Sequence, residues 1–212
     1  MANRDLHRRQ LVAGANTLGL ALTDVQVDQL LDYITEFAKW NRAYNLSAVR
    51  DLDAMIGRHL LDSLAVVPHI QAQRVIDVGT GGGLPGIPLA ICYPDRQFTL
   101  LDSNGKKTRF IFHIKTRLGL TNVGIENCRV EALQPDQLFD GVISRAFASL
   151  ADMTHWCQHL LTPDGLLYAM KGLYPEAELA AIANDYQLTQ RIELKVPGEE
   201  AQRHLLLLKR AA

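Results

Sequence analysis

The stretch of this 212-residue chain with the most chemical content is Val75-Ile76-Asp77-Val78-Gly79-Thr80-Gly81-Gly82-Gly83-Leu84-Pro85-Gly86. A short apolar run carrying one acid, Asp77, breaks into a loop that contains Gly79, Gly81, Gly82, Gly83 and Gly86, and a helical segment, Ile87 to Tyr93, follows. So many glycines cost backbone entropy unless a ligand must approach the main chain with no Cβ in the way. A strand that hands a loop to a helix also points the positive end of that helix at the bound group. The stretch therefore reads as a βα turn built to hold something, with backbone amides facing the ligand.

Two ligands fit the spacing. Gly81-Gly82-Gly83-Leu84-Pro85-Gly86 satisfies the G-x-G-x-x-G dinucleotide fingerprint, with Asp102 further on to accept hydrogen bonds from a ribose diol. The same residues read as Asp77-x-Gly79-x-Gly81-x-Gly83, the turn used by class I S-adenosylmethionine-dependent methyltransferases, which also place an acid at the end of the second strand. Other residues add detail. The segment after Asp102 carries Lys106, Lys107, Arg109, His113, Lys115 and Arg117 without an acid, a face suited to phosphates, and Arg42, Arg50 and Arg58 would add to it from the same side. Arg145, in Ser144-Arg145-Ala146-Phe147, ends a strand where open α/β sheets keep their ligands. An arginine there orients a carboxylate, phosphate or purine edge and does not abstract protons. His155 and His159 have metal-ligand spacing but no third ligand nearby in sequence, so no metal is expected. Cys92, Cys128 and Cys157 lie in no nucleophile motif, which disfavours a covalent route such as cytosine-C5 methylation.

The elements that position these groups follow from periodicity. Residues 1–70 read as a helical extension. Thr23-Asp24 is an N-cap before Val27, Leu30, Leu31, Ile34, Phe37, Ala38 and Trp40, and a second helix from about Asp53 to Val67 is stopped by Pro68. Residues 71–212 alternate strands (Arg74–Val78, Gln97–Asp102, Val123–Asn127, Gly141–Ser144, Gly165–Lys171) with helices (Ile87–Tyr93, Lys106–Leu118, Leu150–Leu160, Glu176–Asn184), which predicts a mostly parallel sheet covered on both faces. Leu188–Val196 and His204–Arg210 then follow with no helix between them, so they form an antiparallel hairpin. That ending fits a methyltransferase better than a dinucleotide dehydrogenase.

Composition sets the outer limits. With 48% hydrophobic residues and 21% charged, the chain folds as a globule, and its net charge of −1 confines any nucleic-acid surface to a local patch. No apolar run is long enough to span a membrane, and Arg4, Arg8 and Arg9 are not followed by a signal-like segment. Three scattered cysteines suit a reducing cytoplasm.

Taken together, Lys39-Trp40-Asn41-Arg42-Ala43-Tyr44-Asn45-Leu46-Ser47, Arg58-His59-Leu60-Leu61-Asp62-Ser63, the glycine loop through Pro88, Leu100-Leu101-Asp102-Ser103, Val142-Ile143-Ser144-Arg145-Ala146-Phe147, Lys171-Gly172 and Arg203-His204-Leu205 resemble the small-subunit ribosomal RNA methyltransferase G family, also called glucose-inhibited division protein B. Ser47 stands where threonine is more usual. Gly82 replaces an alanine or proline and would leave the loop less preorganised. The resemblance implies a class I, Rossmann-like fold and transfer of a methyl group from S-adenosylmethionine to N7 of one guanine in 16S rRNA, near the decoding site, with S-adenosylhomocysteine as product. It implies donor contacts at Gly79, Leu84, Val130, Glu131 and Arg145, to which the loop reading adds Gly81 and Asp102. Lys106, Lys107, Arg109, Arg203 and His204 are expected on the RNA, with Arg145 and Lys171 positioning the reactants and no residue acting as acid or base. The expected partner is 16S rRNA, bare or in the small ribosomal subunit or an assembly intermediate, met by a monomer with no membrane contact. A nicotinamide-dependent oxidoreductase using the same loop and a non-catalytic RNA-binding module are the competing readings.

Overall fold

A computed structural model of the protein describes residues 2–145, 147 and 149–211; Ala146, part of the expected Arg145 turn, lies outside the described residues. The N-terminal part is helical, as its periodicity requires. Helix α1 (Ala2–Thr17) is held to α2 (Asp24–Tyr44) by ion pairs of Arg4 with Asp32 at 2.7 Å and of Arg8 with Asp28 at 2.8 Å. The start of α2 is the expected one. Thr23 accepts from the Gln26 amide while the Gln26 side chain reaches back to the Thr23 amide, so two otherwise unpaired helix-end donors are satisfied. Val27, Leu30, Leu31, Ile34 and Phe37 of α2 are buried, the larger of them each stabilising the fold by about 1.5–3 kcal/mol relative to exposure.

The next helix departs from expectation. Instead of one α-helix ending at Pro68, the chain forms α3 (Leu52–Met55), a π-helical turn at Ile56–Leu61 and α4 (Asp62–Leu64). Pro68 sits inside a separate 3-10 turn, Val67–His69, where its missing amide costs nothing at the first helical positions. The π turn accommodates one extra residue, which rotates everything after it by about 100° relative to an unbroken α-helix.

The sheet carries β1 (Arg74–Val78), β2 (Gln97–Leu101), β3 (Val123–Glu126), β4 (Phe139–Ser144), β5 (Leu161–Lys171), β6 (Tyr186–Glu193) and β7 (His204–Arg210). Their spatial order is β3-β2-β1-β4-β5-β7-β6, parallel from β3 to β5, with β7 antiparallel to both β5 and β6. The α/β class, the mostly parallel sheet and the terminal hairpin are therefore as expected. Strand β5 begins four residues earlier than its pattern suggested, because Leu161 pairs with Phe139 ahead of a register shift that absorbs Pro163 to Gly165.

Between the strands lie α5 (Gly86–Cys92), α6 (Gly105–Leu118), α7 (Leu150–Cys157) and α8 (Glu176–Ala181). One apolar cluster joins α1, α2, α5 and α6 to one sheet face through Leu11, Ile34, Phe37, Ile87, Phe98, Phe110 and Tyr168. The second, on the opposite face, gathers Ile76, Val142, Leu150, Met153 and Leu206. The order in which strands are laid down reverses between the parallel neighbours β1 and β4, so the C-terminal ends of those two strands, Val78 and Ser144, flank the crevice where such sheets bind ligands. Ser144 Oγ donates to Val78 O at 2.7 Å and sets the width of that crevice. Among the described residues no helix is long and apolar enough to cross a membrane.

Candidate functional site

The glycine loop is shaped from within. The amides of Gly79 and Thr80 donate to Leu101 O, Gly81 N donates to Asp102 Oδ2 at 2.9 Å, and Gly83 N and Leu84 N donate to Thr80 O. Gly79, Gly81 and Gly83 take φ values of 71°, 61° and 94°, a region that penalises any side chain. Behind the loop, Asp77 Oδ2 accepts from Thr80 Oγ1 at 2.6 Å and from Gly86 N at 2.9 Å. This corrects the expectation of ligand-facing amides at the helix start: the carboxylate of Asp77 occupies the place an anion would take. A pyrophosphate would find those donors spent, whereas a ligand without phosphates needs a shaped wall and no anion nest.

Gly82 also departs from its expected role. A Cβ there would collide with the ring of Phe37, which is buried against the loop, and Tyr33 Oη donates to Gly82 O at 2.8 Å. The loop is thus rigidified by two aromatic residues of α2, and the missing side chain makes room for one of them.

Asp77 is fully buried, and burial pushes its carboxyl up to about 6 from the ordinary 3.8, against the opposing hydrogen bonds of Thr80 and Gly86. Among the described residues its Oδ1 finds no hydrogen-bond partner. Because the folded state holds the proton more tightly than the unfolded chain, this group's contribution is most favourable below about pH 4 and is lost as pH rises through about 6. The full loss is about 3 kcal/mol. Chemical denaturation of the wild type and Asp77→Asn between pH 4.5 and 8 should show their stability difference moving by a large part of that amount; parallel curves would mean that Asp77 ionises normally.

Three cavities follow one another along the C-terminal edge of the sheet. The first, about 320 Å³, is lined by Val78, Gly79, Asp102, Lys107, Val130 and Glu131, among others. Val130 supplies a buried apolar wall, Glu131 is exposed, and the Asp102 carboxylate is nearly buried with Asn104 N and Gly81 N as donors. Each of its oxygens keeps a second lone pair, so the ribose role expected of Asp102 remains open to it. The second cavity, about 210 Å³, shares Gly79 with the first and adds Phe37, Ser47, Gly81, Leu84 and Arg145. A third, about 160 Å³, shares Arg145 and is bordered by Asp62, Lys171, Arg203 and His204.

The residues expected on RNA separate into distinct positions. Lys106 and Arg109 are exposed on α6, but Lys107 leans over Asp102 at 3.6 Å and belongs to the first cavity. Nor is α6 without acids around it, since Glu36 of α2 pairs with His113 at 3.1 Å. Arg50 donates to Asn41 O and Asn45 Oδ1, closing the end of α2, and Arg58 pairs with Glu199 at 3.4 Å, so neither extends the α6 face. His204 is buried and donates from Nδ1 to Gly172 O at 2.8 Å, so it shapes the loop after β5 and offers RNA no exposed ring. Lys171 is largely buried against Glu178 at 2.8 Å.

One residue of the site escaped sequence reasoning. Asp62, just past the π turn, accepts from Arg203 Nε at 2.9 Å and from Arg145 Nη1 at 3.3 Å, and is itself buried. It brings α4, the end of β4 and the start of β7 to one point. Its only sequence signal was its place within Arg58-His59-Leu60-Leu61-Asp62-Ser63. Cys128, in the first cavity, has its thiol pushed up by burial and by Glu126, so it is no thiolate nucleophile.

Comparison with known proteins agrees with this geometry. Residues 26–206 match the model of a family described as rRNA small subunit methyltransferase G. A protein named ribosomal RNA small subunit methyltransferase G from Cellvibrio japonicus is 60% identical over 207 residues, covering 95% of this chain and 94% of its own. A protein of the same name from Pseudomonas fluorescens is 53% identical over 206 residues, covering 97% and 96%. In fold, the chain is similar to an O-methyltransferase from Bacillus cereus solved in complex with SAH, with a TM-score of 0.62, 16% identity and coverage of 84% and 90%. It is also similar to coclaurine N-methyltransferase bound to N-methylheliamine and SAH, with a TM-score of 0.60, 14% identity and coverage of 97% and 94%.

Proposed function

Because the chain belongs to the rRNA small subunit methyltransferase G family, we propose that it transfers the methyl group of S-adenosylmethionine to N7 of one guanine in 16S rRNA and releases S-adenosylhomocysteine. The observation that supports this reading is the adjacency of the three cavities, the first and second sharing Gly79 in their linings and the second and third sharing Arg145. A carboxylate suited to a ribose diol, Asp102, lies at one end, and Arg203 and Lys171 lie at the other. Adenosine fits the first cavity, with Val130 against the base. The amino-acid tail fits the second, past Gly79 and Leu84, and the target nucleotide enters from the side of Arg145.

N7 of guanine carries an in-plane lone pair. It forms the new bond to the methyl carbon while the carbon–sulfur bond breaks and its electrons stay on sulfur. Positive charge passes from sulfonium to purine and no proton leaves, so no general base is required. The site meets this demand with rigid walls and fixed guanidiniums, which favour in-line alignment and exclusion of water. The N-terminal helical extension contributes directly through Ser47 and Asp62, and exposed Lys106 and Arg109 of α6 give the RNA backbone its charge contacts. The enzyme is expected to act in the cytoplasm as a monomer, on the small subunit or an assembly intermediate.

The loop amides, spent on Leu101, Thr80 and Asp102, weigh against a nicotinamide dinucleotide. The deciding experiment is methyl transfer from labelled S-adenosylmethionine to 16S rRNA taken from cells lacking the modification, followed by mapping of the product. Label at a single guanine, with the strand-cleavage chemistry specific to 7-methylguanosine, is the expected result. Label on a ring carbon, an exocyclic amine or ribose would overturn the N7 assignment, and RNA binding without any transfer would leave a non-catalytic module.

A further inference from the structure

Ser47 is half-buried and lines the second cavity together with the glycine loop and Arg145. Its hydroxyl is held by a network whose proton positions follow from elimination. His59 Nδ1 lies 3.0 Å from Arg58 O, and a carbonyl only accepts, so Nδ1 carries the hydrogen. The neutral ring then has a lone pair on Nε2, which lies 2.9 Å from Ser47 Oγ, so the single hydroxyl hydrogen of Ser47 points at His59. Burial favours the neutral ring, since it lowers the pKa of His59. Val49 N donates to Ser47 Oγ at 3.1 Å and uses one of its lone pairs. Asn41 fixes the backbone, accepting from Ser47 N and donating to Val49 O, both at 2.8 Å. The hydroxyl is therefore locked in one orientation, with one lone pair left and no hydrogen to offer.

A cavity that pairs a guanidinium with a fixed acceptor matches an α-amino acid, whose carboxylate needs donors and whose ammonium needs acceptors. Resting on the proposed donor site, we propose that Ser47, its hydrogen committed to His59, accepts a hydrogen bond from the α-ammonium group of S-adenosylmethionine while Arg145 takes the α-carboxylate. The N-terminal helical region thereby reads the tail of the donor. A small hydroxyl residue is required at this position, and threonine satisfies the same network.

The test compares two ligands by calorimetry. S-adenosylhomocysteine carries the amino-acid tail, and 5′-methylthioadenosine lacks it. Ser47→Ala should weaken S-adenosylhomocysteine about tenfold, the scale of one charge-assisted hydrogen bond, and leave 5′-methylthioadenosine unchanged; Ser47→Thr should restore the wild-type value. Equal weakening of both ligands would reduce Ser47 to a structural role and overturn the proposal. So would unchanged S-adenosylhomocysteine affinity accompanied by slower RNA methylation, which would place Ser47 on the target side. Failure of the wild type to bind either ligand would instead remove the donor-site reading on which the proposal rests.

Discussion

Replacing Gly79 by valine should abolish the stabilisation of the protein by S-adenosylmethionine. Gly79 sits at φ 71° with its amide on Leu101 O, and it is the residue shared by the first and second cavities. A β-branched residue at positive φ is a genuine outlier costing about 1–3 kcal/mol, and its methyl groups would fill the junction through which adenosine continues into the amino-acid tail. For the wild type, donor at 100 times its dissociation constant adds about 2.7 kcal/mol, a rise in melting temperature of roughly 5–10 °C for a chain of this size. The variant should melt at a lower temperature without donor and show no rise with it, and RNA methylation should vanish. Gly79→Ala carries less strain and no branched bulk, so it should fold and retain a reduced rise. An undiminished rise in the valine variant would place the donor elsewhere.

The second large effect is expected at Asp62. With its carboxylate removed in Asp62→Ala, Arg145 and Arg203 lose their shared partner and turn towards solvent, separated from each other by their like charge. Removing one side of a buried ion pair costs about 3–5 kcal/mol. Both guanidiniums are about a third exposed here, at 35% and 30%, so a stability loss at or below the lower end of that range is expected. The rate should suffer more than the fold. Misplacing a positioning group costs about a hundredfold, and single-turnover methylation at saturating donor and RNA should fall by that order. Because both residues act through one geometry, Arg145→Ala combined with Asp62→Ala should be little slower than either alone. Additive losses would show that the two act independently.

What the sequence disclosed and what it withheld divide along chain distance. The glycine loop, the Thr23–Gln26 capping box and the strand–helix alternation are encoded by residues within a few positions of one another, and they stand where periodicity and turn chemistry placed them. Asp62 meets Arg145 and Arg203 across 83 and 141 residues, a meeting that no local pattern announces. The π turn that precedes Asp62 was equally hidden, because Ile56–Leu61 carries the same apolar spacing an α-helix would. Gly82 was read as a loss of rigidity because Phe37, 45 positions earlier, is what fills its space. The Arg203-His204-Leu205 resemblance puts His204 on RNA, and charge alone puts Lys107 there. Burial against Gly172 in one case and the nearby Asp102 in the other decide their orientation.

The position of β7 between β5 and β6 governs how the protein can be made. Translation delivers β6 before β7, yet β6 lies at the sheet margin with β7 as its neighbour, so the earlier strand must wait, unpaired, for the later one. Until His204–Arg210 has emerged from the ribosome, the long apolar margin of β5 also stands open, a template for pairing with any other nascent chain. Strand β7 therefore enters between β5 and the earlier-made β6, one place in from the sheet edge, and in the same movement Arg203 reaches Asp62. The Arg203–Asp62 contact thus forms late in synthesis, and a polypeptide that stops short of β7 would carry the whole glycine loop without that contact and with β5 and β6 unpaired along one side.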